Sequence, residues 1–171
     1  MDRYLQGDRE AFRELYERYS ARLMALMRRR VGNDADAQEL VQQTFLNFHR
    51  ARFNFKCGAQ VRPWLYTIAM NLRLDHLRRQ GRSATQVSIE AAPESGVEPV
   101  DFARVEELRR LRRAVEGLAP GTRSVIELHS FEGLGFSEVA RILGLGLSAV
   151  KTRAHRGYKR LRAEMERKND V

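Results

Sequence analysis

The residues richest in chemistry lie near the C-terminal end. Between Ser148 and Arg162 stand six Lys or Arg residues and no carboxylate. Ser148, Thr152, His155, Arg156 and Lys159 recur on the side opposite Val150, Ala154 and Leu161. Small polar groups near a helix start can reach base edges, and cations behind them can hold phosphates. That is the layout of a recognition helix in a DNA major groove. The residues just before it carry the matching turn. Ala140, Gly144 and Val150 fall four and then six residues apart, with Val139, Ile142, Leu143 and Leu147 apolar around them. A small residue lets two helices approach, Gly accepts positive φ, and a branched residue anchors the second helix, as in a helix-turn-helix. A chance match on an amphipathic helix pair is the alternative. Both helices of the turn are expected to start on glycine, Gly135 and Gly146, at a small stability cost relative to Ser.

Other chemistry is excluded by type and spacing. His49, His76, His129 and His155 fall on different predicted helices and do not pair with Cys57 at metal-ligand spacing. No Gly-rich phosphate loop or nucleophile motif occurs. No catalytic residue, metal, cofactor or small-molecule substrate is therefore expected. Cys57 reads as an incidental thiol, with a redox handle as the alternative.

Two further surfaces lie in the N-terminal half. Glu39, Gln42, Gln43 and Leu46 share one helical face, which is amide-rich, sparsely charged and carries an outward Leu. It reads either as a merely solvated face or as a partner-binding surface. Downstream, Phe53 and Trp64 lie near a helix whose outward positions include Asn71, Asp75, Arg78 and Arg79. Rings that stack bases beside cations that hold phosphates suit single-stranded nucleic acid, whereas the bland reading makes each aromatic ordinary core.

Helices must position all of these groups. Phe12, Leu15, Tyr16, Tyr19, Leu23, Leu26 and Met27 form one stripe, opened by Gly7-Asp8 and closed by Gly32-Asn33. Arg28, Arg29 and Arg30 fill its last turn, serving either the helix dipole or a contact. A second helix is predicted from Asp34 to Arg50, capped by Asn33 or Asp34, with Ala37, Leu40, Val41, Thr44, Phe45 and Phe48 inward. A third runs from Trp64 to Arg79 with Pro63 at its first position, its apolar line including Ile68, Ala69, Leu72, His76 and Leu77. Val105, Leu108, Leu111, Val115 and Leu118 mark another helix, and Val125, Leu128 and Phe131 one more, closed by Gly133.

Charge divides the 171 residues in three. Residues 1–82 carry a net +7, residues 83–103 a net −4 with no Lys or Arg, and residues 104–171 a net +6, within a total of +9. The acidic middle holds Pro93, Gly96 and Pro99 and lacks helical spacing, as a linker would. The fold class is therefore all-α, with two small helical domains (1–82 and 104–171) joined by a flexible acidic linker (83–103). At 43% hydrophobic the chain can build packed cores, and its pI near 10.4 favours an anionic partner such as nucleic acid. No apolar run is long enough to cross a membrane, no signal-type segment opens the sequence, and the single cysteine suits a reducing cytoplasm.

Three blocks then combine: Asp36 to Phe45, Trp64 to Arg79, and Leu143 to Arg156. In this order they resemble bacterial RNA polymerase sigma factors of the extracytoplasmic-function group, the minimal sigma-70 type with only regions two and four. The resemblance implies that Asp36, Glu39, Gln42, Gln43 and Leu46 dock on the clamp helices of the largest subunit of core RNA polymerase, with the flap of the second subunit as a further contact. It implies that Phe53, Asn54, Phe55, Lys56, Arg62, Trp64, Asn71, Asp75, Arg78 and Arg79 hold the melted −10 promoter DNA, the loop from Phe53 to Val61 catching a flipped base. Ser148, Ala149, Lys151, Thr152, Arg153, His155, Arg156 and Lys159 would read the −35 element. The acidic linker would thread the RNA exit path, and an anti-sigma factor would control the whole. Three features depart from the family pattern: Gln43 replaces a carboxylate, Gly135 and Gly146 replace Ser or Thr caps, and the loop after Phe53 is not acidic and Ser-rich. A helix-turn-helix regulator acting without polymerase is the competing reading, but it leaves the N-terminal surfaces unused.

Overall fold

The computed structural model describes residues 1–56, 58–81 and 102–166, with side chains of the last stretch described from Arg104. Cys57, the expected linker up to Asp101, and residues 167–171 lie outside the described residues. Those described are helical, with no strand among them, and fall into two units.

In the first unit, α1 (Asp2–Leu5) leads into α2 (Arg9–Val31), α3 (Asp34–Arg50) and α4 (Val61–Arg79), with a 3₁₀ turn at Arg52–Asn54. The caps explain the boundaries. Asp8 accepts from the backbone N–H groups of Glu10 and Ala11, and Gly32 ends α2 in the left-handed region at φ 80°. Asn33 Oδ1 accepts from Asp36 N at 2.7 Å to open α3. Helix α4 begins at Val61, earlier than expected, so Pro63 stands in its third position. That is still within the first turn, where a missing N–H costs no helical bond.

The core of this unit joins Leu23, Leu26 and Met27 of α2 to Leu40 and Phe48 of α3 and to Leu65 and Tyr66 of α4. Tyr66 and Met70 are buried, while Ile68 and Leu72 are only half-buried, which corrects the predicted line of α4. Apolar side chains surround this helix, and the choice of buried face falls to its neighbours. Tyr4 of α1 is buried too, packed parallel to Phe48 at 5.9 Å between centroids and hydrogen-bonded to His49 Nδ1. Arg28 forks onto Asp34, both contacts at 3.0 Å, whereas Arg30 is buried, so the basic triplet does not form one contact surface.

The second unit holds α5 (Phe102–Glu116), α6 (Pro120–Ile126), α7 (Phe136–Leu143) as far as Ala140, and α8 (Leu147–Glu166). Pro120 occupies the first position of α6, where its fixed φ is already helical. The helix widens into a π turn at Glu127–Phe131, with Glu132 N donating to Glu127 O at 3.1 Å. One extra residue in that turn takes Phe131 off the stripe of Val125 and Leu128. It is 46% exposed, against the expectation that it packs inward. Val125, Ile126, Leu128, Val139, Val150 and Ala154 form the core. The buried Glu127 carboxylate accepts from Arg123 Nε at 3.1 Å, so its charge is met inside the unit.

Candidate nucleic-acid and partner-binding surfaces

The turn between α7 and α8 explains what α8 exposes. Gly144 adopts φ 63°, the left-handed conformation a β-carbon would strain. Val150 and Ala154 then anchor α8 by burial. Ser148, Ala149, Lys151, Thr152, His155, Arg156 and Lys159 are left exposed. Arg153 is the exception among the expected reading residues. It is half-buried, and a β-carbon built on Gly121 would stand 2.9 Å from its Nη1, so its guanidinium lies on the backbone of α6. At the start of α7, Glu138 Oε2 accepts from Gly135 N at 2.6 Å. This is half of a capping box, and it offsets the cost expected of a glycine cap there.

In the first unit, Glu39, Gln42, Gln43 and Leu46 are exposed together, Leu46 at 40%. Burial of Ala37, Leu40, Val41, Thr44, Phe45 and Phe48 fixes the opposite face of α3. Thr44 adds to this by donating Oγ1 to Leu40 O at 2.7 Å. Asp36 does not join that face. It is half-buried and turned toward α4, where Oδ2 lies 3.2 Å from His76 Nε2 and 3.0 Å from Gln80 Nε2. Burial pushes its carboxyl pKa up, but hydrogen bonds from Asn33 and Gln80 and the His76 contact together hold it below the usual carboxylate range. His76 and Gln80 were missed as site residues because their partner lies 44 residues away in sequence for Gln80.

The third surface follows α3. Phe53 is 71% exposed, and the Arg52 guanidinium stands 4.2 Å from its ring centroid. Phe55 packs on Trp64 at 5.1 Å, and Trp64 on Phe48 at 5.0 Å, so an aromatic ladder runs from core to surface. Asn54 and Lys56 are exposed beside it, while Arg62 and Trp64 are half-buried. Along α4, Asn71, Asp75, Arg78 and Arg79 are exposed, with Arg78 Nη1 held by Asp75 Oδ1 at 3.1 Å. A base could stack on Phe53 while the arginines of α4 take phosphates. Among the described residues, no group of three or more His, Cys, Asp or Glu could hold a metal, and no helix is long and apolar enough to cross a membrane.

Comparison with known proteins matches residues 15–83 to sigma-70 region 2 and residues 108–161 to sigma-70 region 4. The chain is 36% identical over 166 residues to RNA polymerase sigma factor CarQ of Myxococcus xanthus, covering 95% of this chain and 93% of that one. It is 32% identical to the ECF RNA polymerase sigma factor SigM of Mycobacterium tuberculosis, over 92% of this chain and 79% of the relative. Among solved structures, CnrH in complex with the cytosolic domain of CnrY matches with a TM-score of 0.69 at 28% identity, covering 95% and 92% of the two chains. RpoE of Bartonella quintana, crystallised with the anti-sigma factor NepR, shares the fold with a TM-score of 0.75 at 21% identity, covering 92% and 98%.

Proposed function

Because the chain belongs to the sigma-70 family, among its extracytoplasmic-function sigma factors, we propose that it divides promoter recognition between its two units. The α3 face of Glu39, Gln42, Gln43 and Leu46 docks on the clamp helices of core RNA polymerase. Phe53 and the α4 face of Asn71, Asp75, Arg78 and Arg79 hold the melted −10 strand. The exposed face of α8 reads the −35 element, and the flap of the polymerase supports the second unit. The protein has no catalytic step of its own: the polymerase makes the phosphodiester bonds. It acts in the cytoplasm, where core polymerase and promoters are. An anti-sigma partner controls it, as RpoE, which shares the fold, is crystallised with the anti-sigma factor NepR.

The observation that carries this reading is the 71% exposed Phe53 under its Arg52 guanidinium, in a unit separate from α8. A regulator that only bound duplex DNA through α8 would have no use for a ring presented to single strands. The test is a native gel of the protein, core polymerase and a promoter fragment. A complex requiring all three components supports the proposal, whereas a protein–DNA complex unaffected by polymerase would favour the regulator.

A further inference from the structure

The start of α3 and the end of α4 are joined by a polar knot that none of the three surfaces uses. Asp36 Oδ2 accepts from Asn33 Nδ2 at 2.7 Å and from Gln80 Nε2 at 3.0 Å, and stands 3.2 Å from His76 Nε2. The Gln80 amide nitrogen also lies 2.8 Å from His76 Nε2, which either accepts the second Gln80 hydrogen or donates its own proton to Asp36, since one ring nitrogen cannot do both at once. Asn33 closes the knot by accepting from Asp36 N with its own oxygen.

Its position is what matters. Leu77 is the last buried residue of α4, and Arg78, Arg79, Gln80 and Gly81 after it are exposed. A helix end with no buried side chain frays within its last turn unless side chains hold it. The two arginines assigned to the −10 strand stand in that turn, between His76 and Gln80. The acceptor that holds them belongs to the helix that carries the docking face.

We infer that Asp36, His76 and Gln80 are positioning residues that fix the C-terminal turn of α4, and with it Arg78 and Arg79, against the docking helix. Asp36 then serves the polymerase indirectly and is not a contact. The inference rests on the sigma-factor reading. It adds that strand capture depends on a side-chain tie outside the DNA surface. Binding to polymerase and melting of DNA become separable, because the tie leaves Gln42 and Leu46 untouched while it orders the arginines.

The test uses the full chain with core polymerase on a promoter recovered by run-off selection. Variants Gln80→Leu and His76→Phe remove the polar groups that meet Asp36 but keep bulk, and His76→Gln returns a polar group with an N–H at a similar reach. Permanganate reactivity of unpaired −10 thymines should fall about threefold to tenfold in the first two, the effect of losing the net contribution of one typical hydrogen bond. It should recover in His76→Gln, with core-polymerase affinity within about twofold throughout. Parental reactivity in both deletion variants would overturn the inference. So would a parallel loss of polymerase affinity, or failure of His76→Gln to recover, since either means the knot only maintains the fold. An unsubstituted protein that opens no promoter would instead overturn the sigma-factor reading itself, and the inference with it.

Discussion

Gly157 of α8 lies so close to Ile126 of α6 that a β-carbon at position 157 would stand 2.8 Å from Ile126 Cγ1 and 3.0 Å from Thr122 Cγ2. At position 157 the backbone of α8 is therefore seated directly against side chains of α6. Gly157→Ala gains about 1 kcal/mol of helix propensity but incurs overpacking of about 1–3 kcal/mol. The net expectation is a loss of up to about 2 kcal/mol, at roughly 4–8 °C in Tm per kcal/mol for a unit of this size. Thermal unfolding of the Ala variant checks it, and an unchanged Tm would show that α8 can shift without cost.

The α8 face predicts a salt effect. Arg156 and Lys159 are exposed beyond Thr152, where they can neutralise phosphates. Replacing either with Ala should weaken −35 binding and reduce the slope of log K against log salt by about one. A titration at several salt concentrations measures it, and an unchanged slope would remove that residue from the DNA surface. Arg153→Ala should alter the slope less, because its guanidinium lies over Gly121.

The α3 face predicts a loss of association without a loss of fold. Gln42→Glu with Leu46→Glu adds charges at exposed sites, so stability should change by no more than about 0.5 kcal/mol. Co-elution with core polymerase should nevertheless disappear. Retained co-elution would place the docking surface elsewhere.

Asp36 predicts a dependence on acid. Its folded pKa lies below the unfolded value, held there by Asn33, Gln80 and His76 against the effect of burial. The stability it contributes is therefore fully present above the unfolded pKa, about 3.9, and is lost as pH falls through the folded value. Asp36→Asn should lower stability by about 1–2 kcal/mol at neutral pH. That difference should shrink below about pH 4. Denaturant unfolding of both proteins at pH 7 and pH 3 reads it. A constant difference would mean that the carboxylate charge is not what the knot uses.

Local signals carried most of the fold. Gly7-Asp8 and Gly32-Asn33 bracketed α2, Asn33 opened α3, and the spacing of Ala140, Gly144 and Val150 located the turn. These are caps and turns whose chemistry lies within a few residues. The exposed sides of α3 and α8 followed from the same periodicities. What the sequence did not disclose depends on distant neighbours or on altered helical register. Tyr66 and Met70 are buried because α2 and α3 select one side of a helix that is apolar around most of its circumference. Phe131 faces outward because a π turn adds a residue where period 3.6 would have kept it in. Asp36 stands in a motif that suggested docking, and only the proximity of His76 and Gln80 shows its carboxylate engaged inside the unit.

Phe53 in the first unit and Arg156 on α8 are expected to read two separate promoter blocks on core polymerase. The most direct measurement is 5′-end sequencing of transcripts from a randomised promoter library with core polymerase, with and without the protein. Protein-dependent start sites should be preceded by two sequence blocks at fixed separation, the downstream block weakened by Phe53→Ala and the upstream block by Arg156→Ala. No protein-dependent start sites, or a single block insensitive to Phe53→Ala, would contradict that expectation.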